Sequence, residues 1–305
     1  MSFIINPFVF DSGSSGTTEY NGVSAMYTLR RPGMTTLWTN AVLKLRRSSD
    51  NGTAFVFFDG SDQDDTITLS SNISTTSDTT PDATTLSTWV GANDAFVERW
   101  YGITDDDTID TDKRAIQVSS ISSQPQFISS GSIITKGGKP VIDFLSSNRY
   151  LDASTNSDLA SGNTFTIFTV NHNDLSTSNG IIMENNVSAG AMGLYSDRRT
   201  NRTNLFISAT GDNGLIQYIS QQNNADQRLT TLLVDNLDLE TWLNGTSQGT
   251  DTYSGTYTNN GIRIGGRFVT SYLQGGIQEI IIFPSDKSSD MSTIHSEINT
   301  YYSIY

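Results

Sequence analysis

Short apolar or alternating runs, separated by turn residues, dominate the second half of the chain. After about residue 140 these runs include TFTIFTVNH, NLFISAT, TTLLVD, LETWLNG and GGIQEIIIF, with Gly, Asn and Ser between them. Short apolar or period-2 runs bounded by turn residues are typical of strands in an antiparallel sandwich. Asn244-Gly245 follows an apolar pair and is a strong signal for a two-residue hairpin turn. We therefore predict a β-sandwich over this half.

The first half of the chain has a more mixed pattern. NAVLKLRRS alternates and predicts a strand that ends in a Ser-Asp-Asn-Gly turn, and FVFF predicts a buried strand. LSTWVGANDAFVERWYG predicts short helical pieces around a Gly-Ala-Asn turn. Residues 1–19, an apolar opening followed by DSGSSGTTE, predict an arm or linker. We treat residues 20–305 as one continuous body, with an elaborated part at 20–139 and a sandwich core at 140–305.

An amphipathic pattern in SSDMSTIHSEINTYYSIY predicts a short helix at the end of the chain. Ser288 or Ser289 is the candidate N-cap. One helical face collects the apolar side chains Met291, Ile294, Ile298 and Tyr301.

Composition narrows the classes of chemistry. The 305 residues contain no cysteine, which excludes disulfides, thiolate metal sites and cysteine nucleophiles. The net charge of −14 argues against binding to nucleic-acid phosphates or to an anionic membrane surface. The opening MSFIINPFVF has neither a basic region nor a long apolar core, so we expect no signal peptide and no membrane insertion.

Two family resemblances overlap on this chain. From residue 140 onward, KPVIDFLSSNRYLDAS, FTIFTVNH, WLNGTSQG and IRIGGRFVTSYLQGGIQEIIIF resemble landmarks of concanavalin A-like and laminin-G-like lectin domains. The span from about residue 27 to 305 is similar to the catalytic domain of the arabinofuranosidase-B family through YTLRR, LRRSSD, FVERWY, Gln124-Pro and GKP. Both resemblances imply an all-β, two-sheet concanavalin A/laminin-G-like jelly-roll sandwich with a short C-terminal helix.

The arabinofuranosidase resemblance implies two catalytic carboxylates, and neither stands at the matching position. The family's nucleophile is a Glu in a Gly-x-Met-Glu-x-(Ile/Leu)-Tyr segment, and the matching AGAMGLYSD has Gly193 there. Its acid/base is an Asp directly after Ile-Gly-Gly, and Arg267 occupies that position here. Glycine has no nucleophile and arginine does not release a proton at working pH. We therefore expect a retained fold without this chemistry, and assign no catalytic residue.

The motif RRSSD is the most telling part of that resemblance, and its position at a strand end predicts a structural role. Arg46 or Arg47 is expected to bind loop carbonyls or to pair with Asp50.

Aromatic residues are candidates for sugar binding, and acidic residues are candidates for calcium binding. Trp38, Tyr101 and Trp242 are candidates for stacking on sugar rings, although tryptophans in apolar runs also serve as core. The loop DGSDQDD contains a candidate calcium site of carboxylates, and the acidic run 105–112 within TDDDTIDTD is a second acidic loop. The alternative for both loops is a solvated acidic surface. The candidate metal ligands in the first loop are Asp59, Asp62 and Asp64.

These features together predict a non-catalytic virion protein of a bacteriophage, in the tail, fibre, baseplate or head decoration. It would be made in the host cytoplasm, bind other virion proteins through residues 1–19, bind host-surface polysaccharide and form a homo-oligomer. One alternative is an active glycoside hydrolase or depolymerase with a relocated carboxylate pair such as Glu184 and Glu279. Another is a structural surface protein without a ligand.

Overall fold

Antiparallel strands make up nearly all of the regular structure, which confirms the predicted fold class. The structure, a computed structural model, describes residues 20–33, 38–104, 115–116, 120–145, 148–153, 164–174, 179–185, 192–197, 202–207, 215–219, 226–236, 238–252, 262–266 and 272–305. The predicted arm at 1–19 and the second acidic loop lie outside these residues. Among the described residues, no helix has the length and apolarity needed to span a bilayer.

The regular elements are short and closely spaced. The helices are α1 (Leu86–Val90) and α2 (Met291–Tyr302), with a 3₁₀ turn at Ile121–Ser123. The strands are β1 (Ala25–Thr28), β2 (Leu43–Arg47), β3 (Thr53–Val56), β4 (Ile73–Ser74), β5 (Ala95–Trp100), β6 (Ala115–Ile116), β7 (Gln126–Ser129), β8 (Ser132–Ile133), β9 (Thr135–Lys136), β10 (Lys139–Pro140), β11 (Ile142–Asp143), β12 (Leu151–Ala153), β13 (Thr164–Asn173), β14 (Asn179–Asn185), β15 (Met192–Asp197), β16 (Arg202–Ile207), β17 (Leu215–Ile219), β18 (Arg228–Asp235), β19 (Asp238–Leu243), β20 (Thr246–Thr252), β21 (Ile262–Ile264) and β22 (Gly275–Phe283).

Two antiparallel ladders of strands meet at β5. The first runs β20-β19-β18-β13-β22, and from β22 it continues through β11 and β7 to β5. The second runs β17-β16-β15-β14-β21-β12-β6 and also reaches β5. Strand β1 pairs with β22, so the elaborated N-terminal part shares a sheet with the core. Strands β2, β3 and β4 extend the sheet on the other side of β5.

The central strands β13 and β22 are buried on both faces, which is why they read as nearly continuous apolar runs rather than alternating ones. Helix α2 covers one of these faces. His295 of α2 lies against Phe168 of β13, with ring centroids 5.5 Å apart, and the Tyr302 hydroxyl reaches the Gln278 carbonyl of β22 at 3.5 Å. The predicted helix and its apolar face are therefore confirmed.

The predicted N-cap of that helix is wrong by one or two residues. Asp290 occupies the N-cap position, and neither Ser288 nor Ser289 does. The Asp290 carboxylate accepts a hydrogen bond from Lys287 Nζ at 3.0 Å. Position along a polar run does not specify where a helix begins, because several adjacent residues are competent caps.

Two other local predictions have opposite outcomes. The hairpin at Asn244-Gly245 is confirmed, because both residues have positive φ (50° and 74°) between β19 and β20, as a type I′ turn requires. The helical pieces predicted from LSTWVGANDAFVERWYG are only half right. The segment starts as α1, but its second half is strand β5, with Ala95 and Val97 turned into the core.

The role predicted for RRSSD is confirmed. Arg47 Nη2 lies 2.6 Å from the Asp50 carboxylate, and Arg47 also donates to the Trp89 carbonyl. Arg46 is buried, with Nε donating to Gln124 Oε1 at 2.6 Å and Nη2 reaching the Ile121 carbonyl at 3.4 Å. The two arginines therefore connect the end of β2 to separate loops.

A buried ionic network connects the N-terminal part to β22 and α2. Arg30 is fully buried, and its Nε lies 3.1 Å from Glu279 of β22. Its Nη1 lies 2.6 Å from Glu297 of α2 and 2.9 Å from Asp64. Thr28 Oγ1 donates to Glu279 at 2.8 Å. Segments that are distant in the chain are thus joined through one guanidinium group.

Close packing of β22 against β13 predicts a large effect of one added methyl group. A Cβ at Gly275 would overlap the backbone carbonyl of His172, which cannot move without breaking the ladder. We expect Gly275→Ala to lower the free energy of unfolding by about 1–3 kcal/mol, as overpacking does. Chemical denaturation measures this. Gly52→Ala is the control, since its Cβ would meet only the exposed Asp50 carboxylate at 3.1 Å; equal losses in both variants would contradict the prediction.

Candidate functional site

Strand register places three charged residues side by side on one face of the second ladder. Arg263 of β21 is the direct neighbour of Asp152 in β12 and of Glu184 in β14. Ile262 and Ile264, on either side of Arg263, are buried in the core. Because successive side chains of a strand point to opposite faces, Arg263 and its two neighbours share the face away from that core.

A bidentate ion pair and two tyrosine rings form the centre of this face. Arg263 donates from Nε to Asp152 Oδ1 at 2.6 Å and from Nη2 to Oδ2 at 2.9 Å. Its guanidinium lies 4.0 Å from the centre of the Tyr150 ring, and that ring stacks on Tyr272 with centroids 6.0 Å apart. Both tyrosines are half-buried, whereas Glu184 is only 1% exposed. We call Tyr150, Asp152, Glu184, Arg263 and Tyr272 the Arg263 face.

A glycine turn brings Tyr272 to this face. Gly265 has a φ of +80°, and a Cβ there would overlap the Phe144 ring. Its carbonyl accepts a hydrogen bond from Leu273 N at 2.8 Å, and Gly266 bridges to Tyr272. The left-handed backbone conformation and the absence of a side chain together let the chain return along the end of β21.

One of the two positions implied by the arabinofuranosidase resemblance falls next to the Arg263 face. Gly193 lies in β15, directly opposite Glu184 in β14. Arg267 lies outside the described residues. The alternative pair of Glu184 and Glu279 is divided between the two ladders, because Glu279 lies in β22 and binds Arg30 and Thr28 near α2. Glu184 therefore has Asp152, not Glu279, as the second carboxylate on its face.

The three aromatic candidates for sugar stacking lie in different environments. Trp38 is 2% exposed and lines a small cleft, and Tyr101 is 1% exposed with its hydroxyl 3.3 Å from Asp78. Trp242 is half-buried, with its ring 6.3 Å from His295. Tyr150 and Tyr272 were not among the predicted sugar-stacking residues, although both lie in segments, SNRYLDAS and TSYLQGG, that resemble lectin landmarks.

The candidate calcium ligands have separate partners. Asp59 accepts a hydrogen bond from Thr68 Oγ1, and Asp64 is paired with Arg30 at 2.9 Å. Asp62 contributes its backbone N–H to Asp65 at 2.6 Å. Among the described residues, no group of three or more His, Asp or Glu side chains has the arrangement of a metal site. In this conformation the loop therefore does not gather Asp59, Asp62 and Asp64 around one ion.

The two histidines have different surroundings. His172 Nε2 lies 3.1 Å from Asp174, which also lies 3.5 Å from Lys136 Nζ. Burial alone would raise the pKa of Asp174, but the hydrogen bond and charge of His172 and the charge of Lys136 lower it. His295 is on the buried face of α2, 2.8 Å from Thr231 Oγ1, and desolvation lowers its pKa to about 4.

No family model matches this sequence, and neither does any curated protein. Among solved structures, an arabinofuranosidase complexed with arabinofuranosyl-α-1,2-xylobiose is similar to this chain, with a TM-score of 0.64 and 14% identity. A mutant GH54 α-L-arabinofuranosidase soaked with 4-nitrophenyl α-L-arabinofuranoside has a TM-score of 0.61 and 13% identity. In both cases 92% of this chain is covered.

The chain spans 63% of the length of each of these arabinofuranosidase chains. The carbohydrate-binding module CBM40 of a Ruminococcus gnavus IT-sialidase, bound to α2,6-sialyllactose, matches 44% of this chain at 11% identity with a TM-score of 0.38. The arabinofuranosidase likeness extends over nearly the whole chain at low identity. It establishes the fold implied by the resemblance, a glycosidase-like β-sandwich.

Proposed function

We propose that this protein is a carbohydrate-binding β-sandwich that recognises polysaccharide on the Arg263 face without cleaving it. The observation that carries the proposal is the pair of half-buried tyrosines, Tyr150 and Tyr272, beside the Arg263–Asp152 ion pair. Aromatic faces pack on the C–H side of a sugar ring, and a fixed charged pair offers donors and acceptors to its hydroxyls. The similarity in fold to arabinofuranosidases with bound sugars supports this proposal.

The arrangement of carboxylates favours binding over hydrolysis. Glycosidases of the usual kind need two carboxylates on opposite sides of the scissile bond. Here Gly193 faces Glu184 across the strand pair, Glu184 is buried, and both oxygens of Asp152 are held by Arg263. The carboxylates on this face are thus held in an ion pair or buried, rather than placed on opposite sides of an open substrate cleft.

One observation supports a second candidate, an inverting glycoside hydrolase. Asp152 and Glu184 lie two strands apart on one face, on either side of Arg263. With strands ~4.8 Å apart, their backbones are separated by roughly 9.6 Å. Inverting enzymes place their two carboxyl groups about 6.5–9.5 Å apart to admit a water molecule. Product release separates the two candidates.

The test is a panel of soluble polysaccharides measured for binding and for released reducing sugar on the same samples, with and without calcium. We expect retention without cleavage, and about tenfold weaker retention for Tyr150→Ala because a stacking ring is lost. Tyr305→Ala, which removes an exposed tyrosine at the C-terminus, is the matched control. Reducing sugar that disappears in both Asp152→Asn and Glu184→Gln would instead establish the hydrolase, and retention that survives Tyr150→Ala would exclude the Arg263 face.

We also propose that the domain is displayed on a bacteriophage particle as a homo-oligomer, with residues 1–19 bound to other virion proteins and host-surface polysaccharide as the ligand. The cysteine-free, Ser/Thr/Asn-rich composition and the apolar opening of the chain support this proposal. Many copies would raise the avidity of a weak single site. Mass spectrometry of purified particles is the test, and absence of the protein from them would contradict it.

A further inference from the structure

Arg46 is buried at the end of β2 and donates hydrogen bonds to neutral groups of three other segments. It is 8% exposed. Its Nε donates to Gln124 Oε1 at 2.6 Å, its Nη1 donates to Asn51 Oδ1 at 2.9 Å, and its Nη2 reaches the Ile121 carbonyl at 3.4 Å. Desolvation lowers the pKa of Arg46, and the charge of Glu98 offsets that shift only in part. A planar guanidinium suits this role, because its fixed fork of donors holds several acceptors in one geometry.

The contacts of Arg46 converge on the 3₁₀ turn at Ile121–Ser123 and on Gln124, which follows it. Gln124 is 3% exposed, so its carboxamide is confined against the guanidinium. The next residue, Pro125, is tied to β5 by a hydrogen bond to its carbonyl at 2.7 Å. A single 3₁₀ turn has poor hydrogen-bond geometry of its own. Contacts from outside the turn therefore contribute strongly to its position.

This turn holds the backbone of Tyr150, a member of the Arg263 face. Tyr150 N donates to the Ser123 carbonyl at 3.1 Å. On its other side Tyr150 leads into β12, where Leu151 is buried and paired with Ile264 of β21. Tyr150 is thus fixed by the turn on one side and by the sheet on the other. Because the backbone conformation limits the rotamers of a side chain, both contacts constrain the direction of the ring.

A second path leads from Arg46 to Tyr150 through Phe96 of β5. Phe96 is the register partner of Arg46, whose guanidinium lies 5.0 Å from the centre of the Phe96 ring. The guanidinium of Arg149, the residue before Tyr150, lies 5.7 Å from the same centre. Both distances are within the range of cation–π attraction. One aromatic ring therefore connects Arg46 to the segment that carries Tyr150.

We propose that Arg46 is a positioning residue, which holds Tyr150 in the orientation that stacks on a sugar ring. Arg46 lies outside the Arg263 face and acts through the 3₁₀ turn and Phe96. The inference rests on the proposed function, because it requires that Tyr150 stacks on sugar. A ring that is already in place loses less conformational entropy on binding. Loss of Arg46 therefore weakens affinity even though the ring remains.

Arg46→Met removes the guanidinium and keeps an unbranched apolar side chain. We expect its affinity for a polysaccharide that the wild type retains to fall about fivefold in affinity electrophoresis, less than in Tyr150→Ala because the ring is still present. Arg47→Met is the matched control, since it changes the adjacent arginine. The partners of Arg47, Asp50 and the Trp89 carbonyl, belong to neither path to Tyr150, and we expect unchanged affinity.

A double variant tests whether Arg46 and Tyr150 act together. If Arg46 acts only through the Tyr150 ring, its loss has no further effect once the ring is gone. We therefore expect Arg46→Met combined with Tyr150→Ala to bind as weakly as Tyr150→Ala alone. A further fivefold loss in the double variant would show that Arg46 affects binding by another route, and would overturn the proposal.

The anchoring of Tyr150 is measured without sugar, by amide hydrogen exchange of the full chain labelled with ¹⁵N-tyrosine. Each amide resonance used is assigned by its loss in the corresponding Tyr→Phe variant. We expect Arg46→Met to speed exchange of the Tyr150 amide at least about tenfold, because its hydrogen bond to Ser123 loses support. The Tyr101 amide, which donates to the Val42 carbonyl beside β2 at 3.0 Å, is the internal reference. General destabilisation speeds both amides, whereas a positioning role speeds only that of Tyr150.

If Arg46→Met does not fold, Gln124→Met is used for both measurements. It removes one acceptor and leaves the bonds of Arg46 to Asn51 and Ile121, so we expect a smaller change in the same direction. Unchanged exchange of the Tyr150 amide would overturn the positioning role, even where Tyr150→Ala still loses polysaccharide. If the wild type retains no polysaccharide, the proposed function fails and the role of Arg46 in sugar binding fails with it, whatever the exchange result.

Discussion

We expect Arg30→Met to lower the free energy of unfolding by about 3–5 kcal/mol, which is typical when one partner of a buried ion pair is removed. Burial alone would lower the pKa of Arg30, but the charges of Glu279 and Glu297 outweigh it and raise that pKa well above its usual value. Without the guanidinium, Glu279 stays fully buried with no cation at 3.1 Å. Urea denaturation of the variant measures the loss.

Two further variants test whether the loss of stability comes from the buried ion pair. Arg47→Met removes an arginine whose partner Asp50 is half-exposed, so we expect a much smaller loss. Arg30→Met combined with Glu279→Met removes both buried charges, and we expect it to recover part of the stability because apolar residues can replace a buried pair. A double variant less stable than Arg30→Met alone would show that the network is not the cause.

The second large effect is acid destabilisation through His295. Its pKa falls from 6.5 to about 4 on folding, because burial between α2 and the sheet disfavours the charged imidazolium. Between pH 6.5 and 4 the unfolded chain binds a proton at this site and the folded chain does not. The free energy of unfolding therefore falls as the pH drops through this window, by about 3 kcal/mol at most, and levels off below pH 4.

The measurement is denaturant unfolding at several pH values between 4 and 7 for the wild type and for His295→Gln. Burial raises the pKa of Asp143 and of Glu279, and these groups act in the opposite direction over part of the same range. The difference between the two proteins isolates the histidine, since both carboxylates are present in each. We expect a flatter profile for the variant. Parallel profiles would assign the acid sensitivity to other groups.

Local sequence pattern predicted those elements whose determinants lie within a few residues. The hairpin at Asn244-Gly245 needs two residues that tolerate positive φ, and both are adjacent in the sequence. The Arg47–Asp50 pair spans three residues. Helix α2 has its apolar positions at helical spacing, so the face that packs on the sheet can be predicted from the sequence alone.

The sequence pattern was less informative where pairing with neighbouring strands determines the secondary structure. FVERW was read as helical, yet it forms β5, which pairs with β2, β6 and β7 at the junction of the two ladders. A short segment that completes hydrogen bonds to several strands becomes a strand whatever its own propensity, since buried backbone groups must be paired. Trp38 and Tyr101 were candidates for sugar stacking, and packing buries both.

The candidate site is the part that depends most on tertiary structure. Asp152 and Arg263 are 111 positions apart in the chain, and only the register of β12 with β21 makes them partners. Arg30 and Glu279 are separated by 249 positions. A sequence records which side chains alternate in and out of a strand, but not which strand lies beside it.

By itself, then, the sequence determined the antiparallel β-architecture, the closing helix, the absence of thiol chemistry and the glycine at position 193. The first two follow from the local hydrophobic period, and the last two follow from residue identity alone. Only the tertiary structure decided that Glu184 faces that glycine, that Arg263 binds Asp152 next to the Tyr150 ring, and that Arg31 and Trp38 line one cleft. Those contacts join segments distant in the chain, and their free energy exists only once strand pairing brings the groups within reach.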